Sequence, residues 1–209
     1  ELTFHYWFWK NLLAKKNNKL WIGFCQKRRF WLQSKNSSNN LLSKVPSNWK
    51  NYNAVICKKI NLGKPKLSKL FKRGWKNIIQ KPSILYSDRN YNIELHFDLF
   101  HGFRNLQKAA ELVKKEDRDE FIEYIKKNRS FNPHIMCVAK PKILKLWFED
   151  LFPWLKRCEV IFGFKDLKGY DTTRLYAYLA ERYHSFWFKK YSNYVEWPYK
   201  FIDTEKIKN

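Results

Sequence analysis

Short apolar runs of strand length alternate with longer stretches of helical period along this chain, and that alternation restricts it to an α/β architecture. Leu20 to Cys25 is apolar except for Gly23, which allows close backbone approach, and reads as a buried strand. Ala54 to Cys57 and Ile135 to Ala139 read the same way. Leu2 to Lys16, with Trp7 and Trp9 on a heavily aromatic face, predicts a first helix. Leu106, Ala109, Ala110 and Val113 form a later helical stripe, and Asp117 is placed to cap the helix after it. Pro141 suits the first position of a helix whose Leu144, Trp147, Phe148, Leu151 and Leu155 share one face. A last helix from about Asp171 to Lys190 sets Leu175, Tyr178, Leu179, Arg182 and Phe186 at helical spacing. The expected fold is a mixed or parallel sheet flanked by helices, with a largely helical second half.

A chain of 209 residues with 44% hydrophobic and 19% aromatic content buries a real core, which excludes a disordered basic tail. No apolar run approaches the roughly 18 residues that a bilayer span needs, and ELTFHYWFWKN lacks the regions of a signal peptide. The first residue is Glu1, so a fragment or a processed chain is expected. Cys25, Cys57, Cys137 and Cys158 form no CxxC pair and read as buried thiols of a reducing compartment. Net charge is +23, distributed unevenly. Up to Asn90 twenty Lys and Arg face only Glu1 and Asp88, whereas from Tyr91 onward 22 face 17 acids. The first half is therefore the anion-seeking part, suited to nucleic acid, an anionic membrane face or a phosphorylated small molecule.

The phosphate-loop, dinucleotide, zincin and serine-hydrolase motifs are absent, as is an Asp-x-Asp triplet. Polar groups gather in four places instead. Gln26, Lys27, Arg28 and Arg29 end the first apolar run, where a strand's carboxyl edge meets ligand in open α/β sheets. Arginine forks suit phosphate oxygens there, and a solvated basic turn is the alternative. In ELHFDLFHG a helix would place Glu94, Asp98 and His101 on one face, either as ligand contacts or as solvated neighbours of an apolar stripe. Asn132, Pro133 and His134 form a turn before a strand. The C-terminal set is Glu159, Asp171, Arg174, Glu181 and Arg182, in which Glu181 and Arg182 also fit a buried structural ion pair.

Taken in order, ELTxxYWxWKN, GFCQxRRFW, FNPHIM, FxxLFPWLxRCExxFG and YDTxRLYAYLAERYxSFWFKKY resemble the family catalogued as domain of unknown function 4422, bacterial glycosyltransferases of capsule and O-antigen gene clusters. The resemblance runs from Glu1 to about Asp203. It implies a small GT-A-like nucleotide-diphospho-sugar transferase fold, read here as one glycosyltransferase domain over residues 1–209. Members usually carry a strand-rich region before ELT, expected to hold part of the nucleotide pocket. The family commonly has HYRR where this chain has Gln26 to Arg29, so the paired arginines match and the histidine does not.

The resemblance implies sugar transfer from a nucleotide-sugar donor to a lipid-linked oligosaccharide, at the cytoplasmic face of the plasma membrane. Gln26, Arg28, Arg29, Asn132 and His134 are then expected on the donor, the arginines neutralising the diphosphate where relatives use a metal. Glu94, Asp98, His101, Arg174, Glu181 and Arg182 are expected at the acceptor or in support. For an inverting reaction Glu159 is the expected base, because the apolar VIFGF run after it would desolvate its carboxylate and raise its pKa. Asp171 is second. Asp150, on a helix beside Leu151, is expected to face water. A basic RNA- or DNA-binding protein is the alternative from charge and aromatic content.

Leu67, Leu70, Phe71 and Ile78 fall on one helical face and Lys69, Lys72, Arg73 and Lys76 on the rest, a basic amphipathic helix over Leu67 to Gln80 suited to an anionic lipid surface. Each outward lysine should add about 1 kcal/mol of attachment to anionic vesicles at low salt. Equal sedimentation with neutral and anionic vesicles would refute that contact.

Overall fold

The computed structural model describes residues 1–37, 39–63, 75–80, 82, 91–165, 167–168 and 173–203. Two compact units emerge: Glu1–Lys59 with Asn132–Glu149 and His184–Asn209, and Ile60–Phe131 with Asp150–Tyr183.

The first unit is built on a four-stranded mixed sheet. Its strands are β1 (Ile22–Gly23), β3 (Ala54–Cys57), β6 (Cys137–Ala139) and β7 (Tyr194–Trp197), in the order β1-β6-β3-β7. β6 runs antiparallel to β1 and β3, while β7 is parallel to β3. A two-stranded ribbon pairs β2 (Arg29–Trp31) with β8 (Tyr199–Phe201). All four β3 residues are fully buried, as a central strand bonded on both edges requires. Val55 and Cys57 join Trp31, Trp49, Met136, Val138 and Trp197 in one cluster, and the strand period turns Ala54 and Ile56 to the opposite face.

The expected first helix ends early. α1 spans Leu2–Asn11, and a separate single turn covers Leu13–Lys15. The first strand is also shorter than the apolar run Leu20 to Cys25. As an edge strand it pairs on one side only, so Leu20, Gly23 and Cys25 are exposed and Phe24 alone is buried. Cys25 is thus a surface thiol, unlike buried Cys57, Cys137 and Cys158.

In the second unit β4 (Ile60–Asn61) pairs with β5 (Ser130–Phe131) beside four helices: α2 (Trp75–Gln80), α3 (Ile93–His101), α4 (Asn105–Glu111) and α5 (Lys115–Lys127). Of the basic helix expected over Leu67 to Gln80, only Trp75–Gln80 lies within the described residues. Asn92 caps α3 by accepting the Leu95 N–H at 2.8 Å, and Gly102 closes it at φ 104°. Asp117 is not the cap of α5. Lys114 holds that position, and Asp117 lies in the first turn, fully buried, accepting from the Tyr183 hydroxyl at 3.3 Å with Lys114 Nζ 3.5 Å away. Its charge is sited where the helix dipole favours an anion.

α6 (Pro141–Phe162) begins at the expected proline, and α7 (Leu175–Tyr191) is the last helix. Leu144, Trp147, Phe148, Leu151 and Leu155 are all buried, as their helical spacing predicts. Within the second unit Trp154 donates to the Ala109 carbonyl at 2.7 Å and packs against Tyr183 with the rings tilted by 47° and their centroids 4.7 Å apart. Among the described residues no helix is long and apolar enough to cross a membrane.

Two histidines sit in the aromatic core of the first unit. His184 is fully buried, 5.4 Å from the Trp147 ring and 4.5 Å from Phe188; His5 lies 4.3 Å from Phe24. Neither His184 nitrogen, nor Nδ1 of His5, has a hydrogen-bond partner. Burial therefore favours the neutral rings, pulling His184 down to about 3 and His5 to about 4. Because the unfolded chain takes up these protons near pH 6.5 and the folded one does not, stability is complete above that pH and falls as pH drops towards 4. Between pH 6 and 5 each ring should remove up to about 1.4 kcal/mol per pH unit. Melting temperatures measured across that range should fall less steeply for His184→Phe than for the unaltered chain.

Candidate active site

β1, β3 and β7 all point one way, so their carboxyl ends, together with the amino end of β6, share one edge of the sheet. The segments leaving or entering there are the turn after Phe24, Lys58–Lys59, Asn132–Met136, and Pro198–Tyr199. In open α/β sheets this is the edge at which ligands bind. All five residues expected at the donor, Gln26, Arg28, Arg29, Asn132 and His134, belong to these segments.

The cationic residues make a tight turn. The Arg29 N–H donates to the Gln26 carbonyl at 3.0 Å, which leaves Lys27 and Arg28 at the corner. Arg28 has φ 67°, a left-handed conformation that a branched or bulky side chain normally avoids. Its carbonyl accepts the Ile202 N–H at 2.8 Å, and its guanidinium forms an ion pair with Asp203. Arg28 and Arg29 each place their guanidinium carbon 5.5 Å from the Phe201 ring centroid. Gln26 donates to the Glu1 carboxylate at 2.9 Å. The strand pairing of β2 with β8 thus brings Phe201 near both arginines, Arg29 in the ribbon and Arg28 in the turn that leads into it.

Asn132 is completely buried and fully engaged. Its amide nitrogen donates to the Cys57 carbonyl at 2.7 Å and to Glu196 at 2.9 Å, while its amide oxygen accepts from the Ser185 hydroxyl at 2.8 Å. It ties β3, α7 and β7 together and fixes the turn that follows. His134, two residues on, also has φ 67°, and its Nε2 lies 3.2 Å from the Tyr199 hydroxyl. Three non-glycine residues among those described have positive φ, and Arg28 and His134, both on this edge, are two of them. Such strain costs on the order of 1 kcal/mol or more and concentrates at functional sites. Glu196 adds a carboxylate beside the Lys59 N–H and near Lys189, whose pKa burial lowers while Glu196 acts in the opposite sense.

The remaining predicted residues, where described, fall in the second unit, and most are drawn into one cluster between α3 and α7. Asp98 is buried and accepts the Arg104 N–H at 2.9 Å, fixing the turn between α3 and α4; His101 is buried and stacks on Tyr178 at 3.8 Å. These two are core members rather than solvated neighbours of an apolar stripe. Arg174 approaches the same Tyr178 ring at 5.7 Å, and Glu94 is partly exposed in the first turn of α3. Glu181 and Arg182 form the expected buried ion pair, with Arg182 lying 3.8 Å over the Phe131 ring and 3.4 Å from His96.

Glu159 stands apart from that cluster. It is three residues inside the end of α6, 33% exposed and 3.1 Å from Lys156. The run expected to desolvate it does not cover it. Val160, Ile161 and Phe164 are 78%, 56% and 62% exposed, because their positions fall on the outer side of the helix end and the turn after it. Asp150 does not face water alone but pairs with Lys114 at 2.6 Å. Asp171 lies outside the described residues. Glu196, Tyr199 and Asp203 escaped the sequence reading; the only signal was an isolated acid in the aromatic-rich run YVEWPYKF, followed closely by another.

Residues 1–193 match the family described as Domain of unknown function (DUF4422). The chain belongs to this family. A solved structure, the apo form of the WbbM bifunctional glycosyltransferase, is similar to this DUF4422 chain with a TM-score of 0.68 at 16% sequence identity, over 98% of this chain. The chain spans 36% of that larger one. No curated protein sequence matches it. The likeness shows the fold of this chain, a mixed sheet flanked by helices that fits the small GT-A-like type.

Asn132→Ala removes the donor to Cys57 and Glu196 and the acceptor for Ser185, leaving buried polar groups unpaired. Denaturant unfolding should show a loss of roughly 2–4 kcal/mol.

Proposed function

We propose that this chain is a glycosyltransferase, or the part of one, that moves a sugar from a nucleotide-diphosphate donor to a lipid-linked oligosaccharide in capsule or O-antigen synthesis. The observation that carries this reading is the strained cationic turn of Gln26 to Arg29 on the carboxyl edge of a sheet whose fold is shared with a solved glycosyltransferase. Two consecutive arginines in such a turn suit the oxygens of a diphosphate. As the bond to the sugar breaks, negative charge builds on the departing diphosphate. Cations already in place stabilise that charge without reorganising.

His134 and Tyr199 belong to the same edge and supply a polar pair for sugar hydroxyls or the distal phosphate. The excess of cations before Asn90 suits an anionic lipid surface, on which a lipid-linked acceptor would be presented. Charge alone would serve nucleic acid equally well, and the fold likeness is what favours sugar transfer.

Arg28→Ala and Arg29→Ala should each weaken nucleoside-diphosphate binding by about 1.5–3 kcal/mol, measured by titration calorimetry. Unchanged affinity in both variants would refute the assignment of the turn to the diphosphate.

A further inference from the structure

The Arg28 side chain is engaged by a partner within the chain itself. Its guanidinium is held by Asp203, a residue brought to the turn by the strand pairing of β2 with β8 and by the hydrogen bond from the Ile202 N–H to the Arg28 carbonyl. The pairing joins residues 175 positions apart in sequence. Both side chains are partly exposed, 23% for Arg28 and 34% for Asp203, so solvent reaches the contact and an incoming anion can too. The Arg28 backbone is tied to the residue before Asp203 by the Ile202 N–H, so the exchange of partners on the guanidinium asks only the Asp203 side chain to turn away.

The geometry points to Asp203 as an internal competitor that occupies the phosphate position on Arg28 when no donor is bound. This rests on the proposed binding of a diphosphate at the turn. A carboxylate and a phosphate present comparable oxygens to a guanidinium fork, so the two exclude one another at Arg28. A carboxylate satisfies one guanidinium, whereas a diphosphate has oxygens enough to engage Arg28 and Arg29 together, both of whose guanidinium carbons lie 5.5 Å from the Phe201 ring centroid. Exchange therefore favours the diphosphate while its second contact holds. When the nucleoside diphosphate starts to leave, Asp203 recaptures Arg28 and hastens its departure. The residue thus sets both affinity and product release without touching substrate.

The test uses the whole 209-residue chain and inorganic pyrophosphate as the probe, titrated at fixed ionic strength with thermal unfolding as a check on folding. Asp203→Asn keeps the shape of the side chain and removes its charge, and should tighten pyrophosphate binding about tenfold and slow its dissociation. Asp203→Ser, which shortens the side chain, should do the same. Arg28→Ala should weaken binding, and adding Asp203→Asn to it should change nothing further, since the competitor acts only through Arg28. If Asp203→Asn and Asp203→Ser weaken binding, Asp203 positions Arg28 for the ligand and the competitor assignment is wrong. Unaltered affinity in both, with Arg28→Ala still impaired, overturns it as well while leaving the turn as the diphosphate site. Should Arg28→Ala bind pyrophosphate normally, the turn itself is not the site and both readings fall.

Discussion

Everything in the first unit depends on β3 being bonded on both edges and buried on both faces. Four residues, Ala54 to Cys57, carry that load, pairing with β6 on one side and β7 on the other. A strand so placed leaves no backbone donor or acceptor to water and no side chain to the surface, which is why only small or β-branched apolar residues and a thiol occupy it. Its direction also matters. Parallel pairing with β7 brings Cys57 and Trp197 to the same edge, and the Asn132 amide then closes that edge by bridging the Cys57 carbonyl and Glu196.

A rigid edge is what permits strain beside it. Arg28 and His134 each hold a left-handed backbone that an unsupported turn would relax, and each is fixed from two sides. For Arg28 these are the Gln26–Arg29 bridge and the Ile202 N–H; for His134 they are the buried Asn132 network before it and β6 after it. Preorganisation of this kind places charge before a ligand arrives, which is the form in which electrostatic stabilisation is most effective. The second unit spends its polar residues differently. Asp98, Asp117 and Arg182 are buried and held by backbone, hydroxyl, carboxylate and ring partners, Arg182 keeping an unpartnered Nε, so these three act as internal ties.

Much of this could be read directly from the residues. Periodicity located the central strand, the buried face of α6, its proline start and the last helix, because each is a local pattern on a surface that must be buried. The cationic end of the first apolar run follows β1 at the carboxyl end of that strand, as its position after an apolar run predicts. Periodicity failed where a position in the sheet or on the surface decided the outcome: β1 pairs over two residues only, Asp117 is buried where Tyr183 reaches it, and the VIFGF run is exposed because it forms the last turn of α6 and the turn after it. Hydrophobic character specifies that a segment prefers burial; it does not specify that a partner surface is available.

The sequence by itself determined the α/β class, the family, the concentration of cations before Asn90 and the buried faces of α4 and α6, though not that of α1, whose Trp7 is exposed, since composition and period are properties of neighbouring positions. Only the tertiary structure decided which distant side chains meet. Asn132 with Cys57 and Glu196, His134 with Tyr199, and Arg28 with Asp203 are separated by 75, 64, 65 and 175 positions. Pairs so far apart leave no periodic trace. Their contact follows from strand order and register, which are fixed by the packing of the whole sheet rather than by any segment of it.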